Sequence, residues 1–178
     1  MATGRIILPA PAWAPLDGSA GNLFPVMDYV QSSGGPPAPR FPRWIFDTYG
    51  VTGLQWLCVS FRMPADYASA PVFKWDWYVS ENIEQGSNLI DWTIALAAIT
   101  DGGSLPAKAP DTALETQIYA NEIQNLLQQD SASITASYDD DLAADDLLLL
   151  MFGCKGEYSE HLPNYAYFLG GILEYTRT

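Results

Sequence analysis

The sequence predicts an all-β protein: an antiparallel, jelly-roll-like sandwich of about eight strands, preceded by an extended Pro/Gly-rich N-terminal arm. Composition points there first. Aromatic residues make up 13% of the chain and charged residues only 16%, a balance that suits half-buried strands better than surface helices rich in Lys and Glu. Pattern comes next. Residues 71–80 alternate cleanly, with Phe73, Trp75, Trp77 and Val79 on one face and Lys74, Asp76 and Tyr78 on the other. The end of the chain agrees, since Leu147–Phe152 and Tyr165–Thr176 read as two buried strands divided by a polar loop.

At 178 residues the chain fits one domain and is long enough to bury roughly 70% of its unfolded surface. Residues 1–43 are read as the arm and 44–178 as the sandwich. Pro9, Pro11, Pro15, Pro25, Pro36, Pro37, Pro39 and Pro42 keep the first stretch from being a central strand, because proline offers no N–H to a ladder. The same stretch carries Trp13, Leu16, Leu23, Phe24, Val26 and Met27, too apolar for a solvated linker. These six are the candidate partner-binding residues. The surface they need is the chain's own sandwich or a neighbouring subunit.

Strands follow in order. Arg43–Asp47 is short, and Gly53–Met63 is apolar on both faces. After residues 71–80, Leu89–Thr100 places Ile90, Trp92, Ile94 and Leu96 on one side, and Asp101-Gly102-Gly103 turns the chain. Residues 112–129 are read as two strands, with a helix as the alternative, since Leu114, Ile118, Ile123, Leu126 and Leu127 could serve either. Ser131–Tyr138 alternates again, and Leu147–Lys155 and Tyr165–Thr176 finish the set. Gly170-Gly171 inside the last strand marks a bulge or a close backbone approach.

Several chemistries lack support. A formal charge of −13 repels phosphate backbones and anionic leaflets, so neither nucleic acid nor a membrane surface is an expected partner. No secretory signal and no apolar run of about 20 residues is visible, which predicts a chain soluble at synthesis. Cys58 and Cys154 lie in apolar contexts and are read as free buried thiols. Asp139, Asp140, Asp141, Asp145 and Asp146 are read as a solvated turn, with a calcium loop as the alternative; their spacing is not that of an EF-hand. His161 is the only histidine, which argues against zinc, and no nucleophile elbow is present. No catalytic residue, metal ligand or cofactor is therefore assigned, and no enzymatic activity is expected. The stripe of Phe73, Trp75 and Trp77, with Trp56 and Trp92, is read as core. A sugar-stacking platform is its alternative, and an exposed tryptophan would discriminate the two.

The order of segments also resembles a known family. The opening GRIILPAPAW, the run Phe61-Arg62-Met63-Pro64-Ala65-Asp66-Tyr67-Ala68, the string AADDLLLL at 143–150 and the closing LEYT resemble small tailed-phage virion proteins with a jelly-roll-like sandwich that decorate capsids. Residues 156–164 depart from that pattern. The resemblance implies a capsid decoration (cement) protein on the virion exterior, assembled in the host cytoplasm. It would bind the major capsid protein as a homotrimer and stabilise the assembled shell by mass action. Deleting residues 1–40 is then expected to abolish shell binding or trimerisation and leave the sandwich soluble. The competing expectation is a tail-fibre or receptor-binding sandwich that recognises host glycans through exposed Trp and Tyr.

Overall fold

The computed structural model describes residues 2–16, 25–31, 40–48, 53–79, 89–103, 113–119, 125–135, 137, 141–156 and 165–178. Two antiparallel sheets pack face to face in a jelly-roll-like sandwich, and the described residues contain no α-helix. The strands are β1 (Thr3–Pro9), β2 (Ala14–Pro15), β3 (Val26–Gln31), β4 (Arg40–Asp47), β5 (Gly53–Arg62), β6 (Tyr67–Val79), β7 (Leu89–Ile99), β8 (Leu114–Tyr119), β9 (Gln128–Ser133), β10 (Leu147–Gly156) and β11 (Tyr165–Arg177). One sheet runs β3-β4-β11-β6-β9, with β1 also paired to β11; the other runs β2-β5-β10-β7-β8.

The core is aromatic because alternate positions of both sheets point inward. Phe73, Trp75, Trp77 and Val79 of β6 are each at most 1% exposed, as the alternation requires. On β10 the inward set is Leu148, Leu150, Phe152 and Cys154, all fully buried. The Phe152 ring is the hub. It stacks on Trp92 at 4.8 Å and meets Trp13, Phe46, Phe73, Trp75 and Phe168 at 4.8–6.3 Å between centroids. Ring pairs of this geometry contribute about 0.5–1.5 kcal/mol each beyond their buried area.

Of the two surfaces open to the N-terminal stretch, its residues 2–16 take the chain's own sandwich. β1 pairs along β11 from Thr3↔Thr176 to Pro9↔Gly170, a single 3-10 turn at Ala10–Ala12 carries the chain between the sheets, and β2 caps β5. Trp13 is 3% exposed, its Nε1 donates to the Leu8 carbonyl at 3.2 Å, and its ring meets Phe168 edge-on at 5.2 Å. Trp44 Nε1 ties the turn down by donating to Ala10 O at 2.8 Å. Two of the described prolines show why this pairing is possible. Pro9 ends β1, and Pro42 precedes Trp44, the first β4 residue that pairs with β11. The division at residue 43 therefore falls inside β4, and the strands beyond the eight expected from sequence come from the Pro/Gly-rich stretch.

Elsewhere the sequence boundaries hold within a few residues. β8 is a strand rather than a helix, and the strand read at 131–138 instead starts at Gln128 and stops at Ser133. It stops there because its partner β6 bends at Ala70, where φ is +55°, so Ile134 N reaches only Pro71 O. The β11 bulge falls at Gly170, as the sequence suggests. Its φ is +131°, and a Cβ there would stand 2.9 Å from Leu8 O and 3.1 Å from Ala10 N, so the close approach of β1 needs glycine.

The strings that carry the family resemblance meet at one end of the sandwich. Met63 N donates to Asp146 O and Asp145 N to Met63 O, which clasps the turn before β10 to the end of β5. Asp66 accepts from Arg177 Nε and from the Tyr175 hydroxyl at 3.1 Å, and its carbonyl accepts from Thr178 N. The Arg177 hydrogen bond and the Tyr175 contact hold the Asp66 carboxyl below the usual aspartate range. These motifs are thus a structural knot rather than a reactive centre.

Candidate functional site

The predicted partner-binding residues separate in space. Trp13 is a core residue of its own chain, unavailable to a neighbour. Leu16 is partly exposed, and its N–H donates to Trp56 O at 3.0 Å, extending β2 along β5. Leu23 and Phe24 lie outside the described residues. Val26 (60% exposed) and Met27 (41%) are surface residues of the edge strand β3, joined by Tyr29 and by Phe41 of β4. The β3–β4 pair therefore shows apolar side chains on both of its faces. Behind it, Arg43 lies 3.9 Å over the Tyr167 ring, donates to the Tyr78 hydroxyl and pairs with Asp28 at 3.3 Å. Burial opposes the Arg43 charge, but the Tyr78 and Asp28 contacts outweigh it and raise the guanidinium pKa. Stacked Tyr78 and Tyr167 complete this cluster, which pins the hairpin to the sheet.

The outer face of the β2-β5-β10-β7-β8 sheet carries the more specific arrangement. Its side chains are those whose neighbours in sequence point into the core: Trp56 and Cys58 on β5, Met151 and Gly153 on β10, Asp91, Thr93 and Ala95 on β7, Glu115 and Gln117 on β8. Ladder pairing sets Trp56, Gly153, Thr93 and Glu115 in one row across four adjacent strands. The row begins at partly exposed Trp56, dips through buried Gly153 and Thr93, and rises to exposed Glu115. The other five tryptophans are all 6% exposed or less.

Trp56 lies across Gly153. A Cβ at Gly153 would stand 2.7 Å from Trp56 Cε3 and 3.0 Å from Cδ2, so the absent side chain is what lets the indole lie against the neighbouring strand. Beyond the ring, Thr93 is 1% exposed and its Oγ1 has no hydrogen-bond partner among the described residues; Asp91 Oδ1, one row away, has none among them either. An unmet buried polar group costs about 1–3 kcal/mol, and Trp75 Nε1 and Trp92 Nε1 in the core are unmet among them as well. The arrangement can offer the exposed part of the indole to a flat apolar surface, whereas Thr93 Oγ1 and Asp91 Oδ1 are closed off from solvent.

The sequence reads Trp56 as core with the other tryptophans, but it is partly exposed; Gly53–Met63 is apolar on both faces and does not say which way it turns. The usual preference would turn Trp inward and Gln outward. Here Gln55 is 1% exposed, because its amide takes a strand's place by donating to Asp47 O and accepting from Asp47 N. The one available signal is Gly153 inside an apolar strand, and its meaning emerges only once β10 is paired with β5.

The remaining sequence candidates are dispersed. Asp139, Asp140 and His161 lie outside the described residues. Asp141 and Asp145 are exposed turn residues with φ of +55° and +65°, whereas Asp146 is 2% exposed and closes the turn by accepting from Ala143 N at 2.9 Å. Among the described residues no three His, Cys, Asp or Glu side chains converge as metal ligands do. Cys154 is buried in the core and Cys58 is partly exposed on the outer face; both are free, and burial raises both thiol pKa values. No helix among the described residues is long and apolar enough to cross a membrane.

No family model and no curated protein matches the chain. Solved structures do. A xylan-binding module, CBM15, is similar at a TM-score of 0.54 and 10% identity, over 99% of this chain and 99% of that one. The K1 cleaved adhesin domain of Lys-gingipain from Porphyromonas gingivalis W83 is similar at a TM-score of 0.50 and 13% identity over the whole of both chains. The enzymatically active domain of tailspike protein 4 of bacteriophage CBA120 reaches 0.41 at 8% identity, over 93% of this chain and 19% of that one. At these identities the likeness establishes the fold: this chain is a jelly-roll-like β-sandwich.

Proposed function

We propose that this chain is a non-catalytic glycan-recognition module, of the receptor-binding kind compatible with its resemblance to tailed-phage virion proteins. The observation that carries this reading is Trp56, the one tryptophan turned outward and partly exposed, laid against Gly153. The shared fold with a xylan-binding module agrees with the reading, but the residues support it. The test is a broad glycan array probed with the wild-type chain and with Trp56→Ala, backed by tryptophan fluorescence. Binding that the substitution removes, with quenching that follows it, supports the reading; silence across the array overturns it.

The exposed β3–β4 hairpin favours a second reading, the capsid decoration protein. Val26, Met27, Tyr29 and Phe41 offer an apolar edge to a partner, here the major capsid protein or the neighbouring copies of a homotrimer on the virion exterior. Because Val26 and Met27 are exposed, Val26→Asp with Met27→Asp leaves the fold intact. The double variant is expected to lose co-sedimentation with intact capsids. Undiminished pelleting would remove this second reading.

A further inference from the structure

We infer that β3 is a self-pairing edge: two copies of this chain join antiparallel along Val26–Gln31, about a two-fold axis through Tyr29, and their sheets run on into one another. The inference is independent of the glycan reading, and it fills the hairpin of the capsid reading with a second copy.

The edge is open in a specific way. β3 ends its sheet, and among the described residues it pairs with β4 alone. Opposite Tyr29 stands Pro42, which has no N–H to give, so the Tyr29 N–H and C=O turn away from β4 toward the free side. A side chain meets that N–H in place of a strand, since Asp28 Oδ1 accepts it at 2.6 Å. The other described edges are guarded. β1 carries Arg5 and ends at Pro9, β2 is two residues long and contains Pro15, β8 carries exposed Glu115, and β9 holds Asp130 against Trp77 Nε1. Charges, prolines and short length are the means by which sheets avoid pairing edge to edge. β3 has no proline and no lysine, and it shows Val26 at 60% exposure, Met27 at 41% and Tyr29 at 52% across its two faces.

Charge selects a second copy as the occupant. The chain carries −13, so two copies repel over most of their surface, and a cationic partner is drawn to that acidic remainder. The β3–β4 pair is neutral: Arg40 and Arg43 balance Asp28 and Asp47, with Arg43 3.3 Å from Asp28. A neutral apolar edge fits its own copy. Symmetry then limits the register, because a two-fold axis normal to the sheet sets opposite one another only residues that share a face. Asp28 against its own copy is disfavoured as a pair of like charges. The neighbouring register sets Tyr29 against Tyr29 and Asp28 against Val30. There the two Tyr29 residues exchange both backbone hydrogen bonds, and the Asp28 carboxylate releases the Tyr29 N–H while keeping Arg43. Two short edges make a small interface, so the dimer is expected to be about micromolar or weaker.

The test is sedimentation velocity of the full chain from about 5 µM to 1 mM, a span that brackets a weak dimer. The expected species at the upper end has twice the 19.5 kDa mass of one chain. Tyr29→Lys, at a half-exposed site, sets two cations opposite each other; it should weaken association by about tenfold and leave the unfolding midpoint near wild type. Register is read by cysteine pairing in a Cys58→Ser background, with Cys154 buried and out of reach. Tyr29→Cys should close an intermolecular disulfide on mild oxidation, because opposite Cα atoms in such a pair stand about 5.5 Å apart. Met27→Cys, about 14 Å from its copy in that register, should not. A chain that stays monomeric across the range overturns the inference and leaves β3 to a strand of another protein. A trimer, a dimer that Tyr29→Lys leaves intact, or a disulfide from Met27→Cys without one from Tyr29→Cys overturns it as well.

Discussion

Trp13 is the position where a binding arm and a structural plug predict opposite outcomes. On an arm, Trp13→Ala would weaken a partner complex and leave the monomer as stable as before. In the structure the residue is 3% exposed, its ring meets Phe73, Phe152 and Phe168 at 5.2–6.2 Å, and its Nε1 donates to Leu8 O. Truncating a buried tryptophan to alanine costs about 3–5 kcal/mol, and the lost hydrogen bond adds ~1 kcal/mol. That is a large share of the roughly 5–15 kcal/mol that holds a domain folded. With a urea dependence of about 2–3 kcal/mol per molar for a chain this long, the unfolding midpoint should fall by about 1.3–3 M. Equilibrium urea titration followed by circular dichroism measures it, and Trp13→Phe, which keeps a ring in place, should fall less. A Trp13→Ala midpoint within ~0.3 M of wild type would refute the plug. By the same reasoning, deleting residues 1–40 removes β1 and its whole ladder on β11 as well as Trp13, so the truncated chain is expected to be insoluble rather than a soluble sandwich.

Other outcomes follow from single residues. Gly170→Ala adds a Cβ against the backbone of Leu8, Pro9 and Ala10 at a φ of +131°, and should cost about 2–5 kcal/mol in the same titration. Gly102→Ala, whose Cβ meets nothing within 4 Å, should cost about 1 kcal/mol; equal losses at the two positions would rule out the close approach of β1. Asp66 is held below its ordinary pKa by the Arg177 hydrogen bond, and Glu174 below its own by Lys74, so each contributes stability above its unfolded pKa of about 4 that is lost as pH falls through the folded value. Asp66→Asn should therefore flatten the decline in melting temperature between about pH 4 and pH 2, and an unchanged slope would contradict that assignment. Cys154 should resist a thiol reagent in the native protein and react only on unfolding, with Cys58 slow because burial raises its pKa; rapid native labelling of Cys154 would be inconsistent with its place in the core.

β6 and β7 were legible because period-2 alternation is a local property, whereas β5 and β10 showed only as apolar runs and residues 112–129 stayed open between strand and helix. Phe73, Trp75 and Trp77 can share a face in only one way, whereas Leu147–Phe152 is apolar throughout and only the packing shows that Leu148, Leu150 and Phe152 point inward. The bulge at Gly170-Gly171 was legible for a similar reason, since paired glycines in an apolar strand signal a close approach even before its partner is known. The N-terminal strands were hidden by their prolines. Whether a missing N–H matters depends on which neighbour needs it, and that is a fact of pairing.

By itself, then, the sequence determined the class of fold, the inward faces of β6 and β7 and the strongly acidic character of the chain. Those depend on alternation and composition, which survive without knowledge of neighbours. Tertiary structure alone decided that Trp13 fills the core while Trp56 faces outward. Both are tryptophans beside apolar residues, and only sheet pairing distinguishes them. β2 crosses to cap β5 and carries Trp13 between the sheets, and Gly153 opposite Trp56 clears the space in which an indole can lie flat on the outer face.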